Sequence, residues 1–463
     1  MKDEISPRSG ILDCEQGSAT FYEENYNFRI MNNAITPASL SNENFAQLVQ
    51  ENNYFHGILH NGKLIAIYLG NSSLSSIKSI ISFHTNLYAI QQTDTFIPNW
   101  NKINAISFRG GTVNQLFSWN HIPYEIVDNS IKPASPQPAV PFIIHFGDID
   151  ITVSIGEMIS QMRNQTEVSI SGKKGYIDMK FSKPISFEDI QFHIDKVKTI
   201  LSFMSFRCNV DFDEILLEKE SSGTLWTFAT VYSELLSTPT QKNSSSNICF
   251  NEFKSSPFVL FDLIYNESTN NPFSFINFIP EDDTHTNRMT NDMVKGIVTC
   301  LECEIARIKN QNPTLTTSDN KSHDYIQEEL RLNSLIKELQ KTAKEFQKQN
   351  GKFSQKTTDM IRGTLNHMTL ADADKIGMFY SKYQNFLTLL FSSSSLDFIP
   401  TVDDVNNLIA YRNKTTHGAQ EVLDNRIIIT ARYLIGLIYC MVLHSIGFDD
   451  NDLQKLCMKH FLY

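Results

Sequence analysis

The stretch IIITARYLIGLIYCMVLHSI, residues 427–446, decides the fold of the C-terminal part of this 463-residue chain. It is the most apolar run of the sequence, and its length would suit a membrane span. Arg432 and His444 interrupt the run, however, and a helix that is apolar on most of its faces is also typical of the centre of a helical bundle. We therefore predict a buried bundle helix and expect no membrane span.

The residues on both sides of this run predict further helices. Upstream, apolar residues recur at helical spacing from about Val402, with Thr401 or Asp403 as the candidate cap. Gly418 is expected to end that helix, because glycine adopts the left-handed C-cap conformation at little cost. Downstream, Gly447 separates the apolar helix from a short terminal one. The C-terminal part therefore reads as a bundle of helices.

The upstream helix ends in YRNKTTHG, residues 411–418, which combines a fixed cation with a titratable imidazole. Arg412 can bind a phosphate through its planar fork of N–H donors, and His417 can accept or donate a proton near neutral pH. RNA supplies its own nucleophile, the 2′-OH, so cleavage by such a pair needs no metal. The alternative is that both side chains are simply solvated at a helix end, where the helix dipole favours a cation.

Helical spacing places the residues of this segment on different faces. At about 100° per residue, Asn413 and His417 share a face, whereas Arg412 lies about 140° from His417. One flat helical face therefore cannot present Arg412 and His417 together. Either the long arginine reaches round the helix or a second chain completes the site.

Arg412, Asn413 and His417 match the motif R-x4–6-H, and the segment resembles the signature of the HEPN ribonucleases (higher eukaryotes and prokaryotes nucleotide-binding domains). The long helix and the short terminal helix that follow are similar to the HEPN domain of the ApeA-type phage-defence family. GILHNGKLIAIYLG, residues 57–70, and the run from Glu167 to Glu218 resemble the N-terminal domain of that family. The resemblance implies that Arg412 and His417 are the catalytic pair, with Asn413 as a third site residue, and that two motifs face each other in a homodimer.

The resemblance also implies a function. It is endonucleolytic cleavage of RNA, with transfer RNA as a candidate substrate, by attack of the 2′-OH and without metal or other cofactor. The enzyme would act in anti-phage defence by abortive infection, after its N-terminal domain senses a phage-derived trigger. Two alternatives stay open: a non-catalytic HEPN bundle that binds nucleotides, RNA or a partner chain, and a protein that binds a glycan or peptide through its N-terminal domain.

Composition and charge are those of an ordinary globular protein with an uneven charge distribution. Hydrophobic residues make up 41% and charged residues 20% of the chain. The N-terminus has no apolar h-region, and the seven cysteines are an odd number, so we expect reduced thiols and a cytoplasmic location. The net charge of −11 falls within residues 1–300, whereas residues 301–463 contain 19 Lys+Arg and 19 Asp+Glu. RNA should therefore bind to the C-terminal part.

A basic face is predicted on a helix at residues 323–349. At helical spacing its lysines, together with Lys414 of the motif, would follow the RNA backbone near the site. The members of this face are Lys337, Lys341, Lys344 and Lys348. The alternative is a solvated face paired with Glu338 and Glu345.

The first half of the chain reads mainly as antiparallel strands joined by turns. Glycine-containing turns are predicted at four places: residues 60–63, 109–111, 147–148 and 172–175. The second of these would join strands at 103–108 and 112–119. A helix is predicted over residues 190–204, after a capping signal that begins at Ser186. A strand is expected over residues 210–217.

The polar stretch STPTQKNSSSN, residues 237–247, predicts a domain boundary. We therefore predict an α+β protein: a mainly antiparallel β domain at residues 1–245 and an all-α domain at residues 246–463. The HEPN core would span about residues 320–463. Helices are predicted near residues 288–310, 323–349, 354–368, 371–391, 401–417, 425–446 and 449–461.

Overall fold

The structure is a computed structural model in which part of the chain is described. The described residues are 8–14, 17–31, 53–70, 74–77, 80–92, 97–117, 124–127, 130–133, 141–163, 168–235, 247–253, 257–267, 278–280, 288–311, 323–358, 360–361, 383, 386, 399–416 and 422–460. The chain forms two compact units. The first, here the sheet unit, comprises Met1–Asn266 and Pro280–His285, and the second, here the helical unit, comprises Glu267–Ile279 and Thr286–Tyr463.

The sheet unit contains sixteen strands among its described residues. They are β1 Arg8–Cys14, β2 Gly17–Glu24, β3 Asn27–Met31, β4 Tyr54–Leu59, β5 Leu64–Tyr68, β6 Leu74–Ile77, β7 Ile80–His84, β8 Leu87–Gln91, β9 Ile103–Arg109, β10 Tyr124–Val127, β11 Ser130–Pro133, β12 Phe142–Phe146, β13 Ile149–Arg163, β14 Val168–Ile185, β15 Glu214–Ser221 and β16 Thr224–Ser233. Fourteen strands form one sheet in the order β12-β13-β14-β9-β15-β16-β8-β5-β4-β1-β2-β3-β7-β6, and β10 pairs with β11. Every described neighbouring pair is antiparallel.

Two of the predicted hairpins are confirmed. β4 and β5 pair across residues 60–63, and Leu59 N donates to Lys63 O at 2.9 Å. Gly62 has φ +83°, a conformation that glycine adopts without the steric cost of a Cβ. β12 and β13 pair across residues 147–148, where Gly147 has φ +59°. In both hairpins the local turn chemistry was sufficient for the prediction.

The hairpin turn predicted at residues 172–175 is wrong. These residues lie inside the long strand β14, where Gly172 pairs with Ser160 and Gly175 with Glu157 of β13. Gly175 permits a close approach rather than a turn, since a Cβ there would lie 2.8 Å from the ring of Phe117. The connection between β13 and β14 falls at residues 164–167, outside the described residues.

The strand predicted at residues 112–119 is also wrong where the structure describes it. After Gly110 and Gly111, which both have positive φ, the chain forms the helical turn α1, Thr112–Gln115. The Thr112 hydroxyl donates to Asp211 Oδ1 at 2.9 Å and accepts from Arg207 Nη2 at 3.0 Å. These partners are nearly a hundred residues away along the chain, so local propensity could not indicate them.

The helix predicted at residues 190–204 is confirmed as α2, Ile190–Ser205. Ser186 and Asp189 form a reciprocal capping box before it, in which Ser186 N donates to Asp189 Oδ2 at 3.1 Å. The inward face of α2 is apolar: Ile190, Ile194, Val197 and Leu201 are fully buried. The strand expected at 210–217 begins later, at Glu214.

A short helix beyond the predicted boundary packs on the sheet unit. This helix is α3, Phe258–Tyr265, and Lys196 Nζ of α2 donates to its Ile264 carbonyl at 2.8 Å. Before α3, Phe250 N donates to Leu116 O at 2.9 Å. The sheet unit therefore continues past the polar stretch at 237–247 to Asn266.

The helical unit contains five long helices among its described residues. They are α4 Asn291–Gln311, α5 His323–Asn350, α6 Val402–Thr416, α7 Asn425–Ser445 and α8 Asp450–His460. Each matches a predicted helix within a few residues. The helices predicted at 354–368 and 371–391 lie largely outside the described residues. An antiparallel sheet in the first half and helices in the second half confirm the predicted α+β class.

α7 is the most buried of these helices. Fourteen of its residues are buried, and it contacts α4, α6 and α8. It is the one described helix long and apolar enough to cross a membrane, and 78% of its most apolar window is buried inside the protein. Within the described residues, α7 therefore occupies the place that the sequence predicts for it, covered by other helices.

A buried histidine should make the stability of the sheet unit depend on pH. His193 of α2 is 3% exposed, its Nδ1 lies 3.3 Å from the Tyr265 hydroxyl, and burial lowers its pKa from 6.5 to about 4. The unfolded chain then binds a proton that the folded chain rejects, so the unfolding free energy should fall by about 3 kcal/mol as the pH drops from about 6.5 to about 4.

The variant His193→Gln should lose this part of the pH dependence. Urea titrations at pH 7.0, 5.5 and 4.5 would compare it with the unchanged chain. Tryptophan fluorescence reports on the sheet unit, because all three tryptophans lie within residues 1–245. As the pH falls, the unfolding free energy of the unchanged chain should decrease more than that of His193→Gln. A difference that is the same at all three pH values would contradict the assignment.

Candidate functional site

The helix that carries the predicted motif, α6, is anchored at its N-terminus by a capping box. Thr401 N donates to Asp404 Oδ2 at 2.8 Å, and the Thr401 hydroxyl donates to the same oxygen at 2.7 Å. Of the two predicted caps, Thr401 is therefore the one that the structure uses. Such a box satisfies backbone donors at the first turn that otherwise have no partner.

The same carboxylate connects α6 to α7. Arg426, in the first turn of α7, donates its Nε to Asp404 Oδ1. The Asp404 side chain is only 2% exposed, and the hydrogen bond from Arg426 is the main reason that its pKa is lowered to about 2. Asp404 thus fixes the start of the motif helix against the most buried helix of the unit.

The inner face of α6 packs into the helical unit. Val405 and Leu408 are fully buried, and Tyr411 is 5% exposed. The Tyr411 hydroxyl donates to Asn291 Oδ1, in the first turn of α4, at 2.6 Å. α6 therefore has fixed contacts with both α4 and α7 along its length.

Arg412 lies about one turn before Thr416, the last described residue of this anchored helix, and is partly exposed. Its Nη2 donates to Glu302 Oε1 of α4, and the two side chains are 20% and 29% exposed, respectively. Arg412 Nε is buried and has no hydrogen-bond acceptor in the described part of the chain. Among the described residues, the guanidinium thus has one carboxylate partner, and its Nε donor is not satisfied.

The other predicted site residues differ in what the structure shows of them. Asn413 and Lys414 are exposed next to Arg412. The Thr416 hydroxyl donates back to the Arg412 carbonyl at 2.7 Å and closes the last described turn of α6. His417 and Gly418 lie outside the described residues, so the distance from Arg412 to His417 and the predicted C-cap stay predictions.

The predicted basic face is exposed along α5. All four of its lysines are exposed, and at about 100° per residue they lie opposite the side of α5 that carries Leu339 and Phe346. One of them, Lys341, forms a 4.0 Å ion pair with Glu345, a contact that contributes little because both side chains are more than half exposed. That this face and Arg412 line one path for RNA stays a prediction, because cations form no hydrogen bonds or ion pairs with one another by which the structure could show it.

A polar cluster in the sheet unit was not predicted from the sequence. The Arg8 guanidinium carbon lies 4.6 Å from the ring centroid of Tyr232 and 5.3 Å from that of Tyr88. Arg8 Nη1 is 3.8 Å from Glu23 Oε2, and burial raises the pKa of this fully buried carboxyl. Two aromatic rings and a carboxylate could together bind a cation. In this cluster Arg8 of the same chain occupies that position.

The other candidate site residues in the part of the chain that the structure describes are metal-ligating side chains and cysteines. No group of three or more His, Cys, Asp or Glu side chains there is arranged to hold a metal ion. Cys300 and Cys303, the one close cysteine pair of the sequence, are free thiols on α4, the first of them fully buried.

Sequence reasoning missed Glu302, which contacts Arg412, and the pair of Asp404 and Arg426, which anchors the start of α6. Asp404 carries a local signal, because it stands three residues after Thr401 in a capping-box pattern. Glu302 carries none, since it is 110 residues from Arg412 in the sequence and reaches it only because α4 packs beside α6.

Comparisons with known proteins add no identification. No family model matches the chain, and neither a curated protein nor a solved structure matches it. The interpretation of the site therefore depends on the motif residues and on the geometry around Arg412.

Removing the Asp404 carboxylate should loosen α6. Asp404→Ala deletes the carboxylate that completes the capping box with Thr401 and the hydrogen bond from Arg426, so we expect a loss of about 2 kcal/mol in unfolding free energy. Thermal unfolding followed by circular dichroism at 222 nm would measure it. Asp403→Ala is the matched control, because Asp403 is an exposed acidic residue in the same helical turn. Equal melting temperatures for the two variants would show that Asp404 does not anchor the helix.

Proposed function

We propose that this protein is a metal-independent endoribonuclease of the HEPN type, with Arg412 and His417 as its catalytic pair. The observation that carries the proposal is the position of Arg412. It lies near the described C-terminal end of α6, a helix whose start is fixed by the capping box at Asp404 and whose inner face is fixed by the Tyr411–Asn291 hydrogen bond. A partly exposed guanidinium on a rigid helix is suited to bind a backbone phosphate in a defined orientation.

The proposed reaction uses only groups of the protein and of the RNA. The 2′-oxygen attacks the adjacent phosphorus, the bond from phosphorus to the 5′-oxygen breaks, and the products are a 2′,3′-cyclic phosphate and a 5′-OH. His417 removes the 2′-OH proton or protonates the leaving 5′-oxygen. Arg412 binds the scissile phosphate and stabilises the charge that it gains in the transition state.

Neighbouring side chains would complete the site. Asn413 binds a phosphate or orients His417, and Lys414 is exposed next to Arg412 and supplies a further cation for the RNA backbone. The exposed lysine face of α5 extends this binding along the strand. Since Arg412 and His417 lie about 140° apart on an ideal helix, we propose a homodimer in which two motifs form one cleft.

The biological role that we propose is anti-phage defence by abortive infection. An enzyme that cleaves cellular RNA, with transfer RNA as a candidate, must stay inactive until infection. The sheet unit would sense a phage-derived trigger and release the nuclease in the cytoplasm.

Substitution of either catalytic residue should abolish RNA cleavage. We expect Arg412→Ala and His417→Ala each to lower the cleavage rate of total RNA by at least about 100-fold, because each removes a group that acts in the transition state. Cleavage by the unchanged protein should persist in EDTA, and DNA of the same sequence should stay intact. Denaturing gels and end-group analysis for the cyclic phosphate would measure this.

The control variant is Asn407→Ala, which removes an exposed polar side chain from another part of α6. It should cleave RNA as the unchanged protein does. In bacteria challenged with phage, the unchanged protein and Asn407→Ala should protect the culture, whereas Arg412→Ala and His417→Ala should not. Equal cleavage by all variants would mean that the motif is only a helix end, and binding of RNA without cleavage by any of them would favour the non-catalytic alternative.

A further inference from the structure

The ion pair between Arg412 and Glu302 occupies the group that should bind the substrate. An arginine binds a phosphate most strongly through two parallel N–H donors on one edge of the guanidinium. Here the edge formed by Nε and Nη2 is not free for an RNA phosphate, because Nη2 donates to Glu302 and Nε is buried. A carboxylate and a phosphate make the same demand on these donors, so the two compete.

We propose that Glu302 is an intramolecular competitor of the substrate phosphate, which holds Arg412 in a substrate-free arrangement. This inference rests on the proposed function, and it names the regulation of the same site. To bind RNA productively, the guanidinium has to leave Glu302 and present its fork to the scissile phosphate. The RNA therefore binds in exchange for an existing ion pair.

The unsatisfied Nε of Arg412 favours the replacement of Glu302 by an RNA phosphate. A buried donor without an acceptor costs free energy, and that cost is removed when the donor finds an acceptor. In the pair with Glu302, Nε has none in the described part of the chain. The phosphodiester of RNA has two non-bridging oxygens, which can accept from Nε and Nη2 together, so the released arrangement gains a hydrogen bond that the resting one lacks.

The fold of α6 does not depend on this ion pair. Its start is fixed by the capping box at Asp404, and its inner face is fixed by buried apolar residues and by the Tyr411 hydroxyl. An ion pair between partly exposed side chains contributes little to stability. Replacing Glu302 should therefore leave the helix in position, which makes the inference testable by substitution.

The test compares two substitutions on α4 that remove the same charge. Glu302→Gln keeps the shape of the side chain but removes the competing carboxylate. Asp292→Asn is the matched control, because Asp292 lies on the same helix, is 92% exposed and pairs with Lys295 at 3.3 Å rather than with Arg412. A general effect of net charge on RNA binding would appear in both variants.

The probe is a fluorescent RNA oligonucleotide with 2′-O-methyl groups throughout, which keeps every phosphate but cannot be cleaved. Fluorescence anisotropy with the full chain should show that Glu302→Gln binds about tenfold more tightly than the unchanged protein, which corresponds to the loss of one competing charge interaction. Asp292→Asn should change the affinity by less than about twofold. The gain should vanish in the double variant Glu302→Gln with Arg412→Ala.

A second measurement is independent of RNA. Phenylglyoxal modifies accessible arginines, and mass spectrometry can follow the modification of Arg412 alone. Arg412 should react several-fold faster in Glu302→Gln than in the unchanged protein or in Asp292→Asn. An unchanged rate would overturn the claim that Glu302 sequesters the guanidinium.

The outcomes separate the inference from the proposed function. If cleavage depends on Arg412, but Glu302→Gln binds no better than Asp292→Asn or binds more weakly, the nuclease stands and the inference is wrong, because Glu302 then only positions the arginine. If no variant binds or cleaves RNA, the proposed function fails and this inference fails with it, whatever the reactivity of Arg412.

Discussion

The burial of α7 is the constraint on which the helical unit depends. Fourteen of its twenty-one residues are buried, on all sides of the helix, so it needs neighbours on every face. Each fully buried aliphatic or aromatic side chain contributes about 1.5–3 kcal/mol, which far exceeds the contribution of an exposed ion pair. α4, α6 and α8 supply these neighbours, and the position of α6 beside α4 follows from that packing.

Polar contacts then select one register among the ways in which these helices could pack. Arg307 of α4 donates to Glu304 on its own helix and to Ser445 at the end of α7, and the side chains of Arg307 and Glu304 are almost fully buried. Glu304 and Glu302 are two residues apart and therefore lie on different faces of α4. One face meets α7 through Arg307, and the other brings Glu302 to Arg412 of α6. A buried pair of this kind is a better determinant of register than of stability.

The sequence was sufficient wherever a short segment carries its own signal. The Asn61-Gly62 turn, the capping box before α2, the start of α6 and the bounds of α7 all follow from residues within one turn of each other. The turn predicted at residues 172–175 was wrong because a glycine is compatible both with a tight turn and with a close approach inside a strand. Gly175 lies in a strand beneath the Phe117 ring instead of in a turn, and nothing in the residues around it distinguishes the two. The α+β class was therefore predictable, whereas the strand register and the partner of Arg412 were not, because both depend on distant pairing.

The charge distribution determines how much the Arg412–Glu302 pair matters for the proposed RNA-binding site. Residues 301–463 contain equal numbers of acidic and basic residues, so this part of the chain has no net attraction for RNA and must rely on local cations. An arginine already paired with a carboxylate contributes little to such attraction. A difference of about 1.4 kcal/mol changes an equilibrium tenfold, so exchange of a single partner at Arg412 is sufficient to alter RNA occupancy substantially. The proposed control of a nuclease at this site therefore requires no large rearrangement of the bundle, because one side chain that moves away from Glu302 would change the charge that the proposed substrate meets.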